Sequence, residues 1–132
     1  MTGTVDESAL REEVRKKYRE VAVNPGGSYH FHTGRPLARR LRYDAALVDA
    51  LPDAAVESFA GVANPFALRQ LAPGENVVDA GSGAGFDCFV SARQVGPGGH
   101  VIGIDMLADM RAKARATAAT MGLANVEFRD GL

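Results

Sequence analysis

Apolar positions in this chain follow two rhythms, one in each half. Between residues 8 and 21, Leu10, Val14, Tyr18 and Val21 share one helical face, while Arg11, Glu12, Arg15, Lys16 and Arg19 occupy the others. This spacing predicts an amphipathic helix with Ser8 as its cap, and its mixed charges describe a solvated outer face rather than a basic binding patch. Asn24, Pro25, Gly26 and Gly27 end regular structure. Residues 28–42 show little periodicity and read as a surface loop. Residues 44–51 predict a short helix with Asp44 as cap, Leu47, Val48 and Leu51 as its apolar face and Pro52 as its stop. Residues 53–63 give mixed signals and read mostly as loop. Asn64 followed by Pro65 starts a helix expected to run to Leu71, before Pro73 and Gly74 close it.

From residue 77 the pattern becomes a repeat of strand and helix. Val77 and Val78 lead into Asp79, and a glycine-rich turn (Gly81, Ser82, Gly83, Ala84, Gly85) opens a helix over residues 86–95 with Cys88, Phe89 and Ala92 facing inward. Gly96, Pro97, Gly98 and Gly99 close that helix. A second strand over residues 101–104 ends at Asp105, and a helix over 107–121 has Met110, Ala114, Ala118 and Met121 as its buried stripe and Gly122 at its end. Val126 and Phe128 then alternate with Glu127 and Arg129 in a third strand. Right-handed crossovers set the three parallel strands in the order 3-2-1, so the expected class is α/β with N-terminal helices. Residues 1–63 form the N-terminal helical and loop segment, and residues 64–132 the βαβαβ portion.

Composition narrows the picture modestly. With 132 residues, 46% apolar and 23% charged, the chain has the makeup of one small globular domain. A net charge of −1 gives no reason to expect nucleic acid or a membrane as partner. Cys88, the single cysteine, cannot form an internal disulfide and reads as a small core residue, since no histidine is arranged to activate it. Asp6 and Glu7 replace the basic start of a signal segment, and no apolar run approaches spanning length, so the cytoplasm is the expected location. His30 and His32 alternate as a metal site might begin, but no cysteine or carboxylate stands at ligand spacing, and no metal is expected. Arg35, Arg39, Arg40 and Arg42 are followed closely by Asp44, Asp49 and Asp53, which favours local ion pairing over an anionic ligand.

The chemistry concentrates where two carboxylates end neighbouring parallel strands with a glycine turn between them, the place where open α/β sheets bind ligands. The amides at the start of the following helix are expected to face that ligand. A dinucleotide fingerprint puts its third glycine three positions after the second; here Gly85 follows Gly83 by two, and Asp79 precedes Gly81 by two. A carboxylate there repels a pyrophosphate and suits a cationic head, such as the amino group of a methionine moiety. Asp105 can accept hydrogen bonds from ribose hydroxyls, and Met106 and Leu107 are apolar enough to lie against adenine.

The run Asp79-Ala80-Gly81-Ser82-Gly83-Ala84-Gly85, followed by Gly103-Ile104-Asp105, resembles the cofactor-binding half of class I S-adenosylmethionine-dependent methyltransferases. Asn64-Pro65, residues 81–89, residues 95–106 and residues 125–131 are similar to the arsenite methyltransferase-like branch of that family. The resemblance implies a Rossmann-like methyltransferase fold, S-adenosylmethionine as cofactor, and methyl transfer to a small-molecule acceptor. It also implies a cofactor site of Asp79, Gly81, Ser82, Gly83, Gly85, Asp105 and Met106, with Tyr18 and Asn64 placed to close over it. That branch binds trivalent arsenic through several cysteines, one just before its Asn-Pro turn. Val62 and Ala63 stand there in this chain, and Cys88 alone cannot make a three-thiolate site. Leu107 replaces the family's helix-capping threonine, a change expected to weaken the next helix start by about 1 kcal/mol.

The family's later strands, which usually supply acceptor-binding residues, do not follow residue 132, so a truncated chain or strand pairing between copies through an exposed edge is expected. No residue stands out as a catalytic base. A nicotinamide-dependent oxidoreductase and a non-catalytic interaction or oligomerisation unit are the alternative readings of the same residues.

Overall fold

The computed structural model describes residues 6–24 and 32–131, so His30 lies outside the described residues. Six helices are described: α1 (Glu7–Val23), α2 (Gly34–Arg40), α3 (Ala45–Asp49), α4 (Asp53–Val56), α5 (Phe86–Val95) and α6 (Ala108–Met121). The strands are β1 (Asn76–Ala80), β2 (His100–Asp105) and β3 (Val126–Asp130). All pair in parallel with β2 central and β1 at an edge, the adjacency expected from right-handed crossovers.

Register explains which strand residues are buried. Val77, Val101 and Val126 form one row across the sheet, and Asp79, Gly103 and Phe128 the next in the same direction. Val101, Gly103 and Phe128 are buried beneath α5 and α6, whereas Val78, one residue out of phase, is 64% exposed on the opposite face. Phe89 of α5 is fully buried and meets Phe128 edge-on at 5.9 Å between ring centroids. Gly122 takes the left-handed conformation that ends α6, as its position after the last apolar residue predicts.

The N-terminal half departs from its pattern in several places. Asp6, not Ser8, caps α1, its carboxylate accepting from the amides of Ser8 (2.9 Å) and Ala9 (3.2 Å), because a carboxylate satisfies the first turn and also complements the helix dipole. Of the predicted apolar face only Val21 is buried, against Ala84, Leu107 and Met110; Leu10, Val14 and Tyr18 remain 54%, 37% and 41% exposed. The loop expected over residues 28–42 contains α2, whose arginine-rich sequence hides the inward-facing pair Leu37 and Ala38. Arg35 from this helix donates to the carbonyls of Val48 (3.0 Å) and Leu51 (2.8 Å) and pairs with Asp53 (3.0 Å), so local pairing is its use. A single turn, α4, replaces loop at 53–56 because Ala55 and Val56 are buried.

Asn64 does cap the next turn, accepting from the amide of Phe66 at 3.0 Å, but only a 3-10 turn over Pro65–Ala67 forms. Leu68 beyond it is 91% exposed, so no apolar face rewards a longer helix to Leu71. Tyr43, Phe59, Phe66 and Phe86 form an aromatic cluster that joins these short elements to α5. Among the described residues no helix is long and apolar enough to cross a membrane.

Phe89 packs on both the sheet and the turn that precedes α5, so Phe89→Ala should cost about 3–5 kcal/mol in urea unfolding. A loss below 1 kcal/mol would show that this ring does not anchor the helix.

Candidate functional site

The turn between β1 and α5 is held by its own amides. Gly81 and Ser82 both donate to the carbonyl of Ile104 on β2, at 2.7 and 2.9 Å, Gly83 donates to Asp105 Oδ1 at 3.2 Å, and Gly85 donates to the carbonyl of Ser82 at 3.0 Å. These four turn amides are engaged within the protein and are distinct from the amides at the start of α5, which are the ones expected to face a ligand. A pyrophosphate, which needs such donors, is poorly served here, and what the turn offers is shape.

That shape depends on glycine for two different reasons. Gly81 and Gly83 have φ of +74° and +55°, and a β-carbon at either would meet nothing within 4 Å, so the backbone there borders open space that a ligand can approach closely. Gly85, at φ +98°, is buried; a β-carbon would lie 2.8 Å from the Phe89 ring and 3.0 Å from Phe128. Gly103 on β2 is the counterpart of the turn. A β-carbon there would lie 2.7 Å from Phe128, 2.8 Å from Ser82 Oγ and 2.9 Å from Cys88 Sγ.

A cleft of about 130 Å³ opens over the turn, at the carboxyl ends of the strands. Asp79, Gly81, Ser82 and Gly83 line it from below, Asp87 from the first turn of α5, Ser58 to Gly61 from the segment after α4, and Tyr18 and Met110 from α1 and α6. Tyr18 is thus brought to the predicted site residues. Asn64 is not, because its amide donates to the carbonyl of Arg42 (3.1 Å) and its oxygen caps the 3-10 turn. A larger cavity of about 500 Å³ lies at the opposite end of the sheet, among Arg93, His100 and Asn125, away from both strand-end carboxylates.

Asp105 bridges two elements, accepting from Gly83 through one oxygen and from the amide of Leu107 (3.0 Å) through the other. Each carboxylate oxygen keeps a further lone pair, so the group retains capacity for hydroxyl donors. Leu107 begins α6 without a side-chain cap, and is instead buried with Val21, Ala84 and Met110, apolar packing standing where capping was lost. Met106 beside it is half-buried against the same cluster.

Burial raises the pKa of Asp79; the thiol of Cys88, 3.5 Å away, opposes this and the charge of Asp105 adds to it. Asp87 is pushed up to about 6, first by burial and further by Asp79, while the hydroxyl of Tyr43, donating at 2.5 Å, pulls the other way. Burial, then Asp79, pushes the Cys88 thiol up, which fits an inert core residue rather than a nucleophile. The hydroxyl of Ser82 is buried and has no hydrogen-bond partner among the described residues. Among the described residues no group of histidines, cysteines and carboxylates could hold a metal ion. Asp87, Tyr43 and Ser58 to Gly61 escaped the sequence pattern: an acid in the first turn reads as a partner of the helix dipole, and the segment before Asn64 carried no periodicity.

Comparison with known proteins places this geometry. Residues 71–131 match a family model described as a methyltransferase domain. The arsenite methyltransferase of Halobacterium salinarum is 41% identical over 99% of this chain, which covers 37% of that protein. An arsenite methyltransferase of Aquipseudomonas alcaligenes is 48% identical over 46% of the chain, which covers 19% of it. Among solved structures, an arsenic(III) S-adenosylmethionine methyltransferase from Chlamydomonas reinhardtii matches with a TM-score of 0.58 and 31% identity, over 66% of this chain and 31% of that one. A protein-L-isoaspartate O-methyltransferase matches with a TM-score of 0.50 over 89% of this chain and 42% of that one; at 20% identity it speaks to the fold alone. The chain spans well under half the length of these curated relatives.

Two outcomes follow from the site's packing and charge. Gly103→Ala should destabilise the protein by about 1–3 kcal/mol in denaturant unfolding, since three side chains must move to admit one methyl group. A carboxyl whose pKa is raised on folding binds more protons in the native state than in the unfolded one, so stability falls as pH rises from about 4 to about 6. Asp87→Asn should flatten that stretch of the stability profile; an unchanged slope would remove Asp87 as its source.

Proposed function

We propose that this chain, whose residues 71–131 match a methyltransferase domain, is part of a class I S-adenosylmethionine-dependent methyltransferase, and that its cleft binds S-adenosylmethionine for methyl transfer to a small-molecule acceptor. The observation that carries this reading is the turn itself. Its amides at positions 81, 82, 83 and 85 are engaged internally and its two open glycines face a cleft floored by Asp79, an arrangement suited to a cationic amino acid head and unsuited to a pyrophosphate.

The residues present fit the cofactor. Gly81 and Gly83 leave room for close approach of its methionine part and Asp79 orients the amino group; Asp105, outside the cleft lining but tied to the turn through Gly83, accepts from the ribose. The hydroxyl of Ser82 lies beneath the same wall, toward Gly103, without a partner among the described residues. Gly85 shapes the turn from beneath, Met106 flanks the adenine side, and Tyr18 covers the cleft. When bound, the cofactor supplies a methyl group on a sulfonium, which passes in line to a nucleophile; the contribution of this chain is to hold and orient.

These residues alone cannot hold trivalent arsenic on three thiolates. Two relatives carry arsenite methyltransferase names, but Cys88 is the one cysteine here, fully buried and hydrogen-bonded to Asp79.

Titration calorimetry tests the cofactor. S-adenosylmethionine should bind while NADH gives no heat, and Asp105→Asn should weaken binding about tenfold, equivalent to about 1.4 kcal/mol. Folded protein that fails to bind S-adenosylmethionine at millimolar concentration would overturn the reading.

A further inference from the structure

The cleft has an imbalance of charge that the reading above uses only in part, through Asp79. Two carboxylates, Asp79 and Asp87, line a space of about 130 Å³, and none of the described residues lining it is lysine, arginine or histidine. The remaining lining side chains are aromatic, small or apolar apart from hydroxyls, one of which, that of Ser82, is buried and lacks a partner among the described residues. Asp87 is also held in place. Its carboxylate accepts from Tyr43 at 2.5 Å, and the Tyr43 ring is wedged among Phe59, Phe66 and Phe86 with centroids 5.4, 6.0 and 4.8 Å away. The carboxylate is thereby fixed on the wall of the cleft instead of swinging into solvent.

We propose that Asp87 reads the charge of the cleft's occupant, favouring a cationic sulfonium over the neutral thioether that remains once the methyl group has left. This rests on the cofactor reading above. No described lining residue puts a cation between the two carboxylates, and Lys113, which reaches the lining Ser58 at 2.8 Å, is paired with Glu57, so positive charge between them comes from the ligand or from protons. Both ligands bring the amino group assigned to Asp79, and the sulfonium brings a second positive charge, which keeps Asp87 ionised. The thioether leaves it to take a proton from solvent, so the two ligands differ in affinity by an amount that pH controls.

The titratable groups facing Asp87 are Tyr43 from the connection between α2 and α3, Asp79 from β1, Cys88 beside it on α5, and Tyr18 from α1, with Asp105 acting through Asp79. Tyr43 and Cys88 are pushed up, away from the range in which carboxyls titrate, which leaves Asp87 and Asp79 to respond.

Calorimetry with S-adenosylmethionine and S-adenosylhomocysteine between pH 5 and 7 tests the inference on the intact chain. The affinity ratio should shift about tenfold toward the sulfonium as pH rises, with its midpoint near 6. Asp87→Asn should flatten the shift. Tyr43→Phe removes the hydrogen bond that favours the ionised form, so it should move the midpoint upward, whereas a merely structural role would weaken both ligands alike. A ratio independent of pH in protein that binds both ligands, or an undiminished shift in Asp87→Asn, overturns this inference alone. Failure of both ligands to bind the wild-type chain overturns the cofactor reading and this inference with it.

Discussion

The carbonyl of Ile104 accepts two hydrogen bonds, from Gly81 and Ser82, and through them the turn after β1 is fastened to the end of β2. The rest of the site follows from this fastening. It sets Gly83 within reach of Asp105, so the acid that ends β2 ties down the turn while keeping lone pairs free. It aims α5 so that Phe89 drops onto Phe128 and Asp87 emerges beside Asp79. Because the amides of residues 81, 82, 83 and 85 are spent within the protein, what the turn leaves open is carboxylates and the space over two glycines. This is a different solution from the dinucleotide turn, whose amides are the binding groups.

The C-terminal part of the fold was legible because each element there is marked by its own chemistry. Period-two burial, glycine at the helix ends and a small-residue stripe on α6 agree with one another, and α5 has the boundaries its pattern predicts. The N-terminal part was harder, for physical reasons that differ by element. In α2 the inward-facing residues are two among five arginines, prolines and glycines, and what stabilises it is long-range: Arg35 reaches the carbonyls at the end of α3. In α1 a regular apolar face was visible, but only its last turn finds a partner among the described residues. Periodicity reports a face and does not report what the face meets.

The same contrast holds for the site. Asp79, Gly81, Gly83 and Asp105 could be singled out because strand ends and glycine spacing locate them in one dimension. Tyr18 joined them through docking of α1 by Val21, and Asn64 did not, because its side chain is consumed by the turn it caps. Asp87 escaped notice because its sequence position has an ordinary explanation. Its importance arises from the hydroxyl of Tyr43, forty-four residues away in the chain.

Gly103 has a consequence for how this protein can change over time. Side chains from three elements, Ser82, Cys88 and Phe128, converge on the space of a single methyl group beside it. Substitutions at these four positions cannot be independent, because each alters the room left for the others, and their effects should combine non-additively. Sequence drift through this corner of the molecule is therefore channelled: a larger residue at one position becomes tolerable only after a smaller one has appeared at another. The wall beneath the cleft is thus inherited as a unit.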